Sequence, residues 1–247
     1  MTSGRVQGGF NQFGFTVGIL MLDTQFPRIP GDMGNATTFP FPVRYQRVDG
    51  AAPDLVVRRG AAGLLPSFIE GARRLEHEGV GAITTNCGFL VKFQRELAAS
   101  VRVPVFTSSL LLVPLVHRLL APGRRVGIMT VNAPGLTPEH FAGAGIGDIP
   151  VAVAGMETEK EFTRVMLDNE MVLDVDIARE EHVRVARRLV TEHPDVGAIV
   201  LECTNMPPYA ADIQRETGLA VFDIVSLVKM VHAGLAAGLP PRPAQAP

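Results

Sequence analysis

Apolar residues in this chain fall into short unbroken runs, separated by longer stretches with a helical period. Val17 to Leu22, Val126 to Val131 and Val196 to Leu201 are continuous rather than alternating, which predicts parallel strands covered on both faces. The segment from Val80 and Val103 to Phe106 read the same way. Pro42 to Val48 alternates as a further strand, and Ile149 to Ala154 and Leu219 to Phe222 complete the set. Between them the pattern predicts helices over Gly63 to Glu78, ended at Gly79, over Phe89 to Ala99, and over Ser108 to Leu120, where Pro114 is expected to introduce a kink. Thr137 followed by Pro138 marks another helix start, and Glu159 to Leu167, Val172 to Glu192 and Ile224 to Ala236 follow. Strands alternating with helices predict an α/β fold with parallel sheets of the doubly wound type.

The pattern also repeats. Val80-Gly-Ala-Ile-Thr-Thr-Asn-Cys87 returns as Val196-Gly-Ala-Ile-Val-Leu-Glu-Cys203, an offset of 116, and Val103-Pro-Val-Phe106 and Leu219-Ala-Val-Phe222 each end nineteen residues after their own cysteine. Val17-Gly-Ile-Leu-Met-Leu-Asp23 is echoed by Val126-Gly-Ile-Met-Thr-Val-Asn132 at an offset of 109. The chain therefore reads as two related halves, each presenting its single cysteine beyond the same strand. A lone cysteine is most often a small buried hydrophobe. Two at matched positions instead place a thiol on each side of a ligand, so that a carbon between them can lose a proton to one face and regain it on the other.

Composition narrows the classes of function. The chain has 247 residues, 47% of them hydrophobic and 19% charged, with a formal net charge of −2, which fits a full globular core and gives no basic surface for nucleic acid. Two cysteines without a CxxC or Cys/His cluster fit neither a disulfide framework nor a structural zinc site, and reduced thiols point to the cytoplasm. The stretch Gly218 to Leu239 is interrupted by Asp223, Lys229 and His232 and is too polar to span a membrane. Residues 1–14, without a signal-peptide core, and 239–247 are read as flexible tails. Lys92, Lys160 and Lys229 all fall on predicted helices rather than at strand ends where a pyridoxal lysine would sit. His117, His182, His193 and His232 show no metal spacing, and Gly8, Gly9 and Gly14 do not match a nucleotide loop.

The candidate chemistry clusters around the cysteines. Cys87 and Cys203 are each expected between a strand and a helix start, where backbone N–H groups and the helix dipole would lower the thiol pKa. Gly88 removes a side chain where a ligand or another backbone comes close. Thr84 or Thr85 with Asn86, and Thr204 with Asn205, supply uncharged hydrogen-bonding groups for a carboxylate. The long loop from Asp23 to Asn35 leaves a strand at the end where open α/β sheets bind ligands, and Arg28 or Arg44 is a candidate clamp for an anion.

These paired strand-cysteine segments, with Glu202-Cys203-Thr204-Asn205-Met206-Pro207 in the second, resemble the aspartate/glutamate racemase superfamily, which includes hydantoin racemases, maleate isomerases and arylmalonate decarboxylases. The resemblance runs from Val17 to about Ala236. It implies two Rossmann-like lobes related by a pseudo-twofold axis, with the site in the cleft between them. Residues 15–120 plus 218–238 would form one lobe and 121–217 the other, in a homodimer. It also implies a site without cofactor or metal, in which Cys87 and Cys203 are the acid/base pair and Asp23 and Thr24 match the polar pair after the first strand. Glutamate racemases read Cys-Asn-Thr and Cys-Thr-His, whereas this chain has Cys87-Gly88-Phe89 and Cys203-Thr204-Asn205, which favours a less polar or cyclic substrate. The leading expectation is a racemase or epimerase acting at the α-carbon of an amino acid, hydantoin or related small carboxylate. The alternatives are a maleate-type isomerase with a cysteine nucleophile, an arylmalonate-type decarboxylase, and a two-lobed binding protein without catalysis.

Overall fold

In the computed structural model the apolar runs become two separate four-stranded parallel sheets. The structure describes residues 8–9 and 12–236, so most of the expected tails, 1–14 and 239–247, lies outside the described residues. The first sheet holds β1 (Val17–Met21), β2 (Val43–Arg47), β3 (Ala82–Thr85) and β4 (Val105–Phe106) in the order β2-β1-β3-β4. The second holds β5 (Arg125–Thr130), β6 (Val151–Gly155), β7 (Val196–Leu201) and β8 (Ala220–Phe222) in the order β6-β5-β7-β8, the same topology. The register repeats too. Ile19 lies opposite Thr84 as Ile128 lies opposite Val200, and Ile83 pairs with Val105 as Ile199 pairs with Val221.

The helices are α1 (Pro53–Val57), α2 (Leu65–His77), α3 (Gln94–Ser100), α4 (Val113–Leu119), α5 (Pro138–Gly143), α6 (Glu161–Leu167), α7 (Val175–Glu192), α8 (Ala210–Thr217) and α9 (Ile224–Ala236). Two of the expected helices begin differently. Gly88–Phe93 is a 3-10 segment that hands over to α3, and Ser109–Leu112 is another, capped by the Ser108 hydroxyl, that hands over to α4. Pro114 therefore stands in the first turn of α4, where its missing N–H costs nothing, and starts the helix rather than kinking it. Five residues are too few to show a helical period, which is why α1 has no signature in the sequence. No helix among the described residues is long and apolar enough to cross a membrane.

The conserved geometry of the two halves has a packing cause. A Cβ on Gly18 would meet Leu75 Cδ1 at 2.9 Å, and one on Gly127 would meet Leu189 Cδ2 at 2.9 Å, so each Val-Gly-Ile strand uses its glycine to admit a leucine from the helix covering it, α2 or α7. Both leucines are buried. Between the sheets lies a shared core in which Val17 and Ile19 join Val126, Ile128 and Val200, with Val113 and Val116 of α4 and Ile224 and Val228 of α9. The last helix of each half crosses over. α4 packs on β5, while α9 returns to the first sheet, where His232 Nδ1 lies 2.8 Å from the Thr16 hydroxyl and the His232 ring stacks on Phe41. Because β8 pairs with β7, the second sheet extends to Phe222, past the boundary expected at residue 217, and the return to the first sheet begins with α9.

Leu75→Ala and Leu189→Ala are each expected to lower unfolding free energy by about 2–5 kcal/mol, the range for a buried leucine whose cavity cannot collapse. Urea denaturation of the two variants checks this, and the two losses should be similar because the two sites are built alike.

Candidate active site

Cys87 and Cys203 stand two residues beyond the C-terminal ends of β3 and β7, each next to the first strand of its half, where the strand order reverses. That is where an open α/β sheet offers a crevice to a ligand. The two crevices face each other and are clasped together. The Thr204 hydroxyl donates to the Asn86 carbonyl across the lobes, and Ser109 Oγ, beyond β4, donates to the Leu201 carbonyl at 2.6 Å. Gly88 lies directly against Glu202, and a Cβ there would run into both its carboxyl and its carbonyl oxygen. The glycine is thus required by close approach of the opposite lobe's backbone and side chain.

Both thiols line one cleft with about 380 Å³ of empty space, partly open to solvent. Its polar lining is Asn86, Glu202, Thr204 and Asn205, and the rest is mainly apolar, including Leu22, Phe26, Phe89 and Met166. Among the described residues no arginine, lysine or histidine is part of that lining. Among the described residues no group of His, Cys, Asp or Glu comes together as a metal ion would need.

Of the candidate residues, Asn86, Gly88, Thr204 and Asn205 reach the cleft with the two cysteines. Thr85 is occupied elsewhere: its hydroxyl lies 2.9 Å from the Cys87 carbonyl and 2.7 Å from that of Thr107, bracing the loop. Thr84 donates to the Phe106 carbonyl at 2.6 Å. Asp23 is outside the lining and faces Arg47 at 3.6 Å. Arg28 does not reach the cleft either. Its guanidinium donates to Asp32 Oδ1 at 3.0 Å and to the Thr24 hydroxyl at 3.0 Å, and lies over the Phe26 ring. Arg44 pairs with Glu78 and Gln12, away from the site. The long loop nevertheless serves the second thiol. Asp32 Oδ2 accepts from Asn205 Nδ2 at 2.6 Å, which turns Asn205 Oδ1 toward Cys203, and the thiol donates to it at 3.6 Å.

Three residues of the site carry no motif of their own: Asp32, Phe26 and Glu202. Phe26 and Asp32 are marked only by lying in the long loop from Asp23 to Asn35, whereas the offset of 116 places Glu202 opposite Asn86, each immediately before its cysteine. Glu202 is fully buried, its Oε2 accepts from the Thr130 hydroxyl at 2.7 Å, and burial pushes its carboxyl up to about 7, against the hydrogen bond from Thr130.

That carboxyl, with burial, overturns the expectation of acidified thiols. Burial first and Glu202 second push Cys87 up to about 12, and the same two causes, in the same order, push Cys203 well above the ordinary thiol value. Backbone N–H groups at Phe89 and Asn205 pull the other way and do not win. The segments after the cysteines are short 3-10 turns, with little dipole to offset the loss of water. Alkylation of the unliganded protein by iodoacetamide should accordingly keep rising by about tenfold per pH unit beyond pH 9, with no plateau below pH 10. A plateau near pH 7 in a stopped-flow rate profile is the contrary result.

Comparison with known proteins fits the geometry. A family model described as Asp/Glu/Hydantoin racemase matches residues 57–230. A dimethylsulfoniopropionate lyase of Durusdinium sp. clade D is 30% identical over 217 residues, covering 85% of this chain and 71% of that protein. Dimethylsulfoniopropionate lyase 6 of Emiliania huxleyi (strain CCMP1516) is 30% identical over 234 residues, and there the chain spans 60% of its relative's length. Among solved structures, the allantoin racemase from Klebsiella pneumoniae superposes with a TM-score of 0.65 at 18% identity, covering 92% of this chain and 90% of that one, a likeness of fold. With twin sheets, one thiol from each half in a common cleft, and a family match over most of its length, the chain belongs to the Asp/Glu/hydantoin racemase family.

Proposed function

We propose that the protein is a cysteine-dependent lyase that removes the α-proton of a small carboxylate and expels a leaving group from the β-carbon, with dimethylsulfoniopropionate or a close analogue as substrate. The observation that carries this reading is the pair of buried thiols lining one mostly apolar cleft. The names borne by the relatives at 30% identity supply the leaving group. Dimethylsulfoniopropionate has a carboxylate, an α-methylene and a β-sulfonium. A sulfonium cannot donate a hydrogen bond, and its diffuse charge suits aromatic faces and a thioether such as Phe26, Phe89 and Met166.

In the proposed step a thiolate takes the α-proton and the released electron pair forms the Cα–Cβ double bond. The Cβ–S bond breaks with its electrons on sulfur, leaving dimethyl sulfide and acrylate, and the proton remains on the cysteine until solvent removes it. The site's asymmetry favours Cys87 as base. Each thiol has one backbone N–H that favours its charged form, but Cys203 holds its proton toward Asn205 Oδ1, an acceptor fixed by Asp32, whereas Arg28 favours the charged form of Cys87. The substrate's cationic end, brought beside the thiol, favours the thiolate further.

The matched positions of the thiols support a second reading on substrates with no β leaving group. There the carbanion would persist long enough for Cys203 to protonate the opposite face, which is racemisation of an amino acid or hydantoin.

Incubation of the purified protein with dimethylsulfoniopropionate should release dimethyl sulfide and acrylate in equal amounts, read by headspace gas chromatography and proton NMR. Cys87→Ser should lower release by roughly 10²–10⁴-fold, the usual contribution of a positioned base, and Cys203→Ser by less. Absence of release, together with α-hydrogen exchange in D2O on amino acids or hydantoins that needs both cysteines, would replace the lyase by the racemase.

A further inference from the structure

Among the described residues, two polar atoms of the cleft have no partner: Asn86 Nδ2 and Glu202 Oε1. Their residues are only 3% and 0% exposed, so each unpaired group has lost water without gaining a bond, a cost that a ligand can recover. They are twins in the sequence repeat, one from each lobe, and both line the cleft between the thiols. Neighbours set their orientation. Asn86 Oδ1 accepts from the Leu22 N–H at 2.7 Å, which leaves Nδ2 as the free end, and Glu202 Oε2 accepts from Thr130, which leaves Oε1 as the oxygen to carry a proton.

We propose that Asn86 and Glu202 form a two-donor carboxylate site, in which Glu202 acts as a neutral acid and its Oε1 hydroxyl, with Asn86 Nδ2, binds the substrate's carboxylate. The proposal rests on the reading above only in taking the substrate to be a small carboxylate. Among the described residues no cation lines the cleft, and Arg28 is held by Asp32 and Thr24, so a carboxylate there is met by neutral donors. Removal of an α-proton loads a second negative charge onto that carboxylate as an enediolate. A hydrogen bond from a neutral acid in a dry site strengthens as the charge grows, which makes Glu202 a catalytic residue and not only a binding one. A neutral Glu202 also stops repelling the thiolate.

The sign of the pH dependence follows. Glu202 keeps its proton below about 7 and loses the donor as pH rises through that value. The titratable groups facing it are the two thiols, both displaced upward and neutral across this range, while the Arg28–Asp32 pair lies behind Asn205.

Propionate, which has the carboxylate and no leaving group, is the probe, titrated calorimetrically from pH 5.5 to 8.5 in carboxylate-free buffer. The wild type is expected to bind it below pH 7 and to weaken by about tenfold per pH unit above. Glu202→Gln, whose amide can accept from Thr130 and still donate into the cleft, should bind with no slope, and Asn86→Ala should bind more weakly at every pH while keeping the slope. A flat wild-type profile, binding that strengthens with pH, a wild-type slope in Glu202→Gln, or no propionate binding at any pH would overturn the proposal. The wild-type profile decides the case even if a variant does not fold. Since no turnover is involved, a protein that binds propionate with this profile yet neither eliminates nor racemises would refute the proposed reaction and leave the carboxylate site standing.

Discussion

The cleft confines three acids, two thiols and one carboxyl, in a space where water no longer stabilises their charges. Each therefore resists ionisation, and an anion on any one raises the cost of an anion on the others, as the upward displacement of both cysteines by Glu202 shows. The resting site is thus close to neutral. Any ionisation has to be favoured by what enters: a cationic group brought into the cleft offsets the charge of a thiolate, whereas a further anion opposes it. Such a site discriminates by charge distribution as much as by shape, and it keeps its nucleophilic sulfurs quiet between encounters.

The placement of these groups follows from the duplicated frame. Gly18 and Gly127 let Leu75 and Leu189 seat two helices at the same depth on two strands, and the identical registers then carry Cys87 and Cys203 to equivalent points beyond β3 and β7. Contact between Gly88 and Glu202 and the hydrogen bond from Thr204 to the Asn86 carbonyl draw those points together. Symmetry of the frame does not extend to the chemistry. Asn86 is always a donor and Glu202 only when protonated, and Cys203 has an acceptor braced by Asp32 that Cys87 lacks.

Much of this was legible in the sequence because periodicity and repetition are properties of local order. The unbroken apolar runs marked the strands, and the common offset of 116 paired the cysteines and, with them, Asn86 and Glu202. Interactions between residues distant in the chain were not legible. Arg28 looked like a clamp for an anion and Asp23 like part of a polar pair after the first strand, but Arg28 is paired with Asp32 and Asp23 faces Arg47. A helix start beside each cysteine suggested acidified thiols. Burial, which only the assembled lobes create, outweighs the few N–H groups of a short 3-10 turn. Asp32 reaches Asn205 across 173 positions of chain, a separation that no motif records.

The exchange of α4 and α9 bears on how a small molecule gets in and out. Two lobes joined by a hinge can swing apart as rigid bodies, but here each lobe is covered by the other half's last helix, and the core between the sheets is continuous. Opening the cleft by separating the lobes would strip apolar surface from both at once. Next in the chain to the lining residues Phe26, Val57 and Leu167, the two halves are also joined by exposed contacts: Gln25 from the long loop is held by the Asn169 side chain and carbonyl, and Arg58 reaches Asp168. Those exposed bonds cost little to break. Built this way, the molecule resembles a fixed vessel more than a pair of jaws.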